Sequence, residues 1–373
     1  MIRILHIMGG LNRGGLETFA MNMYRAIDRN HVQFDFLLTQ EQNGDYEDEA
    51  KSLGAYIYHL PARNKGYLAY RKTLDDFFRE HNEYIAVHMH ASSLTSLEPL
   101  VYAKKHGIQI RILHSHSSSI QKSVRFHYVH KLIHYYNKFR VRKLATHYLG
   151  CSDKALIWMY KNTGIYSKAI MIKNGIDTSQ YSFNVDTRTI IRREFGIDDD
   201  TIVVGHVGSF IPLKNQTFLV DILNSLHLDK VKAKLLLVGA GPTFEDIKAK
   251  VHSLGLDDDA ILTGVRSDVS RILLAMDVFV MPSWFEGLPV SLVEAQASGL
   301  PIIASSTISS DSDITGTILF KSIEDTPSDW ASSILEWKNK ICRPNNIDKI
   351  KLAGFDSKTT IDHLVDIYTG NSQ

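Results

Sequence analysis

Val278-Phe279-Val280-Met281-Pro282-Ser283-Trp284-Phe285-Glu286-Gly287-Leu288-Pro289 is the stretch on which the fold turns. Four apolar residues of strand character run through a short loop to a proline suited to the first position of a helix, and Gly299 is placed to end that helix. Working outward, β-rich runs alternate with helical patterns along nearly the whole chain, which predicts parallel sheets with crossover helices. One set of strands is expected at 2–7, 32–38, 56–59, 85–89, 109–114 and 147–149, and a second at 202–207, 234–238, 261–263, 278–281 and 302–304. Between the sets, Asn174-Gly175-Ile176-Asp177 is a turn signal, so the boundary is expected near residue 180. The expectation is an α/β protein of two doubly wound, Rossmann-like domains at 1–180 and 181–352, with a C-terminal helix in 353–373 packing back on the first. Ligands of such sheets bind beyond the carboxyl ends of the strands, so two facing halves would enclose a cleft.

The 373 residues are 44% hydrophobic and 22% charged, an ordinary globular composition at a length that favours two domains. No window approaches the roughly 20 apolar residues of a membrane-spanning helix, and the start lacks a secretory pattern. Cys151 and Cys342 are too few for a disulfide framework, which suits a reducing cytoplasm. The net charge of +1 hides an asymmetry, because Pro99 to Ser152 holds ten Lys or Arg and no acid. Within 121–144, basic residues including Lys122 and Arg125 alternate with Phe126, Tyr128, Val129, Leu132, Ile133, Tyr135, Tyr136 and Phe139 at helical spacing. Two readings carry equal weight: a helix lying on an anionic membrane surface, or a solvated face above a buried apolar stripe. No nucleic-acid motif accompanies the patch, so nucleic acid is not an expected partner.

Glu286 stands just ahead of the expected helix, and Glu294 lies about 7.5 Å beyond Pro289 along its axis. A diphosphate could rest on the free N–H groups of the helix start, with carboxylates accepting hydroxyls on either side. Taken as an isolated pair, the same residues would only complement the helix dipole and decorate the surface. The glycine-rich loop from Met8 to Gly15 lets backbone approach a ligand closely, but it lacks the dinucleotide fingerprint, which disfavours NAD or FAD. His114 and His116 share one side of a strand end. No third ligand has readable spacing, so no metal is expected there, and either histidine could be purely structural.

Glu286-Gly287-Leu288-Pro289 with Glu294-Ala295 resembles the signature of the retaining glycosyltransferases called family GT4. The resemblance extends to Gly14-Gly15-Leu16-Glu17, Lys173-Asn174-Gly175-Ile176-Asp177, Val238-Gly239-Ala240-Gly241-Pro242 and the run from Asp277 to Pro301. It implies the GT-B fold, two Rossmann-like domains facing a cleft, and a metal-independent, cofactor-free transfer with retained anomeric configuration. The donor would be a nucleoside-diphosphate sugar, UDP in preference to GDP. The acceptor would be a hydroxyl of a glycan or polyprenyl-linked glycolipid, as in surface polysaccharide assembly at the inner face of the cell membrane. By the same resemblance, Glu286 contacts the transferred sugar, Glu294 the ribose, and the backbone of Gly287, Leu288, Pro289 and Val290 the phosphates. Gly14 and Gly15 lie against the donor phosphate and the acceptor side, Val265 and Arg266 belong to the nucleotide site, and His116, in preference to His114, serves the sugar. One departure stands out: the family usually has arginine where Ser209 stands, so of two cations that neutralise the leaving diphosphate only Lys214 remains. The donor is then held differently or turned over slowly. A sugar-nucleotide epimerase of the same fold and a non-catalytic sugar-nucleotide-binding partner are the alternatives. Hydrolysis by the carboxylate pair is disfavoured, because Glu286 and Glu294 are placed at opposite ends of a diphosphate instead of flanking one bond.

Overall fold

Apolar strands and crossover helices build two α/β units in the computed structural model, which describes residues 1–63, 66–120 and 126–371. Lys122 and Arg125 lie outside the described residues. The first unit comprises Met1–Gly175 and Ser357–Gln373. Its strands are β1 (Ile2–Met8), β2 (Val32–Leu38), β3 (Ile57–His59), β4 (Tyr84–Ala91), β5 (Ile110–Ser115), β6 (His147–Gly150) and β7 (Ile170–Met171). They form one parallel sheet in the order β3-β2-β1-β4-β5-β6-β7. Its helices are α1 (Gly15–Ala26), α2 (Glu47–Ser52), α3 (Tyr67–Glu80), α4 (Glu98–Lys105), α5 (His127–Val141) and α6 (Asp153–Tyr160). All seven residues of β2 are buried, as expected of a strand covered on both faces. Leu5, Ile7 and Val87 point into one core layer, and Ile4, Phe34 and Ala86 into the other, which also holds residues of α1 and of the C-terminal helix.

The second unit, Ile176–Asp356, holds α7 (Val185–Glu194), β8 (Ile202–Val207), α8 (Gln216–Leu228), β9 (Ala233–Val238), α9 (Phe244–Ser253), β10 (Ala260–Leu262), α10 (Val269–Ala275) and β11 (Val278–Met281). It continues with α11 (Val290–Ala297), β12 (Ile302–Ser305), β13 (Ile318–Lys321), α12 (Pro327–Lys340) and α13 (Ile347–Leu352), before α14 (Ser357–Thr369) returns the chain to the first unit. Its sheet runs β10-β9-β8-β11-β12-β13. In both sheets the strand order reverses direction at one place, between β1 and β4 and between β8 and β11, which are the switch points where doubly wound sheets open a ligand crevice.

Three sequence expectations need correction. Strands β7 and β13 were not foreseen; both are sheet edges, of two and four residues, too short to show a pattern. Pro289 does not begin α11 but caps it, with extended backbone (ψ 130°), so the helix starts at Val290. The buried apolar stripe on α5 is absent and the helix is inverted. Its buried side carries His134, Asn137 and Lys138 beside Val141, while Tyr128 is 85% and Leu132 71% exposed, and Phe126, Tyr136 and Phe139 are exposed as well. The inversion has a cause: Asn137 donates to the Leu94 carbonyl (2.7 Å), the Leu94 N–H donates to His134 (3.0 Å), and Lys138 donates to the Trp158 carbonyl (2.8 Å). The polar side of α5 satisfies backbone groups of the loop after β4 and of α6, which a polar group inside a core must do. Among the described residues, no helix is long and apolar enough to cross a membrane.

Candidate functional site

At the switch point of the second unit the loops leaving β8 and β11 meet. The Trp284 N–H donates to the Leu213 carbonyl (2.9 Å) and Asn215 donates to the Pro282 carbonyl (3.3 Å). These bonds bring Lys214 against Glu286, an ion pair of 2.6 Å whose side chains are only 14% and 12% exposed. Residues 72 positions apart are thereby joined by topology and not by spacing. Behind them His206 donates from Nδ1 to the Val280 carbonyl (2.8 Å), which leaves a lone pair on Nε2. Burial and the nearby Lys214 charge push His206 down to about 4, so its ring is neutral at pH 7. The β8 loop is clamped from below: the Gly208 N–H donates to the Val238 carbonyl (3.0 Å) and the Phe210 N–H to the Ala240 carbonyl (2.9 Å). A Cβ on Gly239 (φ +137°) would collide with the Gly208 carbonyl, and one on Gly241 with the Phe210 backbone, so these two glycines set the height of the loop carrying Ser209 and Lys214.

Pro289 has no side-chain group to cap α11, which leaves the positive helix end facing the same loop. Nothing lies within 4 Å of where a Gly287 Cβ would stand, so the approach is open. Glu294, on the second turn of α11, accepts from the Tyr181 hydroxyl (2.7 Å). Burial raises its carboxyl above the ordinary value, only partly offset by that bond. Ser209 is exposed, and its carbonyl accepts from Gln216 (2.9 Å). Arg266 is held by Asp268 in its own loop (2.8 Å) and by Glu194 at the end of α7 (2.9 Å), beside an exposed Val265.

In the first unit, Gly14 caps α1, its carbonyl accepting the Thr18 N–H (2.9 Å), and nothing stands within 4 Å of a Cβ at Gly15. His114 is fully buried on β5 and bonded to His88 (3.2 Å), whereas His116 is partly exposed and bonded to His90 (2.9 Å). Five imidazoles cluster together, those of His6, His88, His90 and His114 on β1, β4 and β5 and that of His116 just after β5, with Phe19 and Tyr368 against them. Burial pushes His6 and His116 down to about 3, and His88, His90 and His114 well below the ordinary range. The absence of a readable third histidine beside His114 and His116 is corrected: His90 is that neighbour, supplied by the adjacent strand through the His90–His114 register of β4 and β5.

The family model for Glycosyl transferases group 1 matches residues 201–339, and that for Glycosyltransferase Family 4 matches residues 13–180. The chain is 30% identical over 371 residues to the "Putative glycosyltransferase EpsF" of Bacillus subtilis (strain 168), covering 98% of this chain and 96% of that relative. The chain belongs to glycosyltransferase family 4. This family-4 glycosyltransferase is also 26% identical over 316 residues to the UDP-Gal:alpha-D-GlcNAc-diphosphoundecaprenol alpha-1,3-galactosyltransferase of Escherichia coli, covering 82% of the chain and 78% of the relative. Among solved structures, Anabaena Alr3699/HepE in complex with UDP matches with TM-score 0.78 and 17% identity over 99% of this chain and 100% of that one, which shows the shared GT-B fold.

Within the glycosyltransferase, Lys214 and Glu286 are brought together, with Glu294 one helix turn and more behind them. Sequence reasoning missed Tyr181, His206 and the clamp made by Gly239 and Gly241. The glycines were visible as a motif; that they support the β8 loop is visible only once β8 and β9 are paired. Nothing in the sequence around Tyr181 signals its contact with Glu294, 113 positions away.

Proposed function

We propose that this glycosyltransferase moves a sugar, with retention, from a UDP-sugar to a hydroxyl of a polyprenyl-linked glycolipid at the cytoplasmic face of the membrane, in surface polysaccharide assembly. The observation carrying this reading is the Lys214–Glu286 pair set at a switch point before the uncapped start of α11. A diphosphate placed there would take Lys214 and the backbone N–H groups of Gly287 to Val290 as partners, leaving Glu286 free to accept from sugar hydroxyls and Glu294 from the ribose. In the first unit, His116 and the Gly14–Gly15 loop keep the roles that family resemblance gives them. The UDP of the Anabaena complex and the undecaprenol diphosphate named for the E. coli relative support the choice of donor and acceptor. So does a cavity of about 430 Å³ beside α5, whose lining includes Arg71, Arg140, Tyr102 and Tyr136 together with Arg63, which is paired there with Glu98 (3.1 Å).

Two measurements test the reading. UDP should raise the melting temperature of the wild type. Glu294→Gln should remove that shift while melting higher than wild type without ligand at pH 7.5. The sign follows from the raised Glu294 carboxyl: its contribution to stability is complete below the unfolded value of about 4.3 and is lost as pH rises through the folded one, so at neutral pH the charge is a cost that glutamine removes. If the variant kept its UDP shift, the ribose assignment would be wrong. Product analysis separates classes of reaction: free UDP with a lengthened acceptor is expected, not an altered sugar nucleotide.

The exposed aromatic side of α5, with Lys131 and Arg142 in the same segment, is proposed to seat the enzyme on anionic lipid. Full-length protein should co-sediment with vesicles containing phosphatidylglycerol and not with purely zwitterionic ones, and Leu132→Glu with Phe139→Glu should lower the vesicle partition constant by about tenfold, equivalent to about 1.4 kcal/mol. Unchanged sedimentation of the double variant would remove α5 as the contact.

A further inference from the structure

We propose, resting on the reading of Glu294 as the ribose partner, that Tyr181 is a positioning residue for the donor nucleotide: its hydroxyl holds the Glu294 carboxylate where the ribose hydroxyls meet it. Tyr181 follows closely on the Lys173-Asn174-Gly175-Ile176-Asp177 motif, and that motif builds the turn that delivers it. Ile176, where the chain enters the second unit, donates its N–H to the Phe355 carbonyl (2.8 Å). Asp177 caps the turn over Thr178–Gln180, accepting from the Ser179 N–H (3.2 Å) and from the Gln180 side chain (2.7 Å). The buried Thr178 donates its hydroxyl to Asp356 (2.6 Å), and its carbonyl accepts the Tyr181 N–H (3.3 Å). The backbone of Tyr181 is thus tied to a turn that is itself pinned to the chain at residues 355 and 356.

The ring is fixed as firmly as the backbone. It is buried in the core cluster that also holds Ile176 and, from α11, Leu292 and Val293. A phenol enclosed in this way requires a partner for its O–H. The partner it takes is Glu294 Oε1 (2.7 Å), the residue that follows Val293 on the same helix.

For Glu294 this bond has a particular weight. Among the described residues no other side chain bonds its carboxylate and no cation pairs with it, so the Tyr181 hydroxyl is what opposes the burial of its charge. Glu286, by contrast, is held by the cation of Lys214. A neutral phenol orients a carboxylate without cancelling its charge, and it occupies Oε1 alone. Oε2 has no partner among the described residues and the side chain is partly exposed, so one carboxylate oxygen is fixed and the other is offered to a ligand. A glutamate has three side-chain torsions to order, and a carboxylate ordered before the ribose arrives spares the complex that loss.

The test is a calorimetric titration of the full chain with UDP and with its 2′,3′-dideoxy analogue, which lacks both ribose hydroxyls. Wild type should bind UDP the more tightly. Tyr181→Phe keeps the packed ring and loses only the hydroxyl. It should weaken UDP by about 10- to 100-fold, the range for one hydrogen bond to a charged group, and leave the dideoxy analogue unchanged, so the preference for UDP collapses. A purely structural tyrosine would lower both affinities alike. Tyr181→Leu, apolar but without ring or hydroxyl, is the second variant and should lose the same preference. Equal affinity of the wild type for the two nucleotides would overturn the ribose assignment of Glu294 and the role of Tyr181 with it. A wild-type preference for UDP that persists undiminished in folded Tyr181→Phe or Tyr181→Leu would overturn the role of Tyr181 alone, as would equal losses for both nucleotides.

Discussion

Lowering the pH from 7 to 5 should unfold the first unit. His6, His88, His90, His114 and His116 all have their protonation pushed down by burial, to about 3 for His6 and His116. In the unfolded chain each would protonate near 6.5. The unfolded state therefore binds more protons than the folded state over that interval, so stability is full above about pH 6.5 and falls as pH drops towards the folded values. Each group costs about 1.4 kcal/mol per pH unit below 6.5, hence about 7 kcal/mol per unit for five. A domain stability of about 5–15 kcal/mol is then consumed within about one to two units. Circular dichroism together with the fluorescence of Trp158, the tryptophan of the first unit, would follow the transition. His116→Gln should reduce the steepness of the pH dependence by about one proton. A stability that stayed flat from pH 7 to 5 would mean that the rings are hydrated or separated.

That cluster also marks where reading the sequence reached its limit. His114 and His116 were visible as a pair at a strand end, because alternation puts residues two apart on one face. His6, His88 and His90 could join them only through the pairing of β1 with β4 and of β4 with β5, a long-range register that one sequence does not encode locally. The central strands and their helices were legible because each is a long apolar run with its own punctuation, whereas β7 and β13 are short edges held by their neighbours. The same holds at the candidate donor site. Glu286, Glu294 and Lys214 were legible through the family resemblance, but their actual partners, Lys214 with Glu286 and Tyr181 with Glu294, follow from the fold. For α5 the composition was legible and its orientation was not, since amphipathic spacing says which residues share a side and not which side faces in.

Lys214→Met should lower kcat for sugar transfer by about 10²- to 10³-fold, the range found when one preorganised group facing developing charge is removed. The size follows from what surrounds the residue. Ser209 brings no charge and Arg266 is committed to Asp268 and Glu194, so Lys214 is the cation of the β8 loop available to a departing diphosphate. Removing it also leaves the Glu286 carboxylate, 12% exposed, without its partner at 2.6 Å, a negative charge placed where negative charge must develop. The two losses can be separated. Lys214→Met with Glu286→Gln removes the stranded charge, so donor affinity should recover towards wild type while kcat stays low, and the single-variant effects should fail to add. Lys214→Arg keeps the charge and offers a bidentate contact, so it should retain most of the activity. Melting temperatures of all three variants would confirm folding. If Lys214→Met turned over within about threefold of wild type, charge neutralisation by Lys214 would be dismissed, and the backbone N–H groups at the start of α11 would have to carry the diphosphate alone.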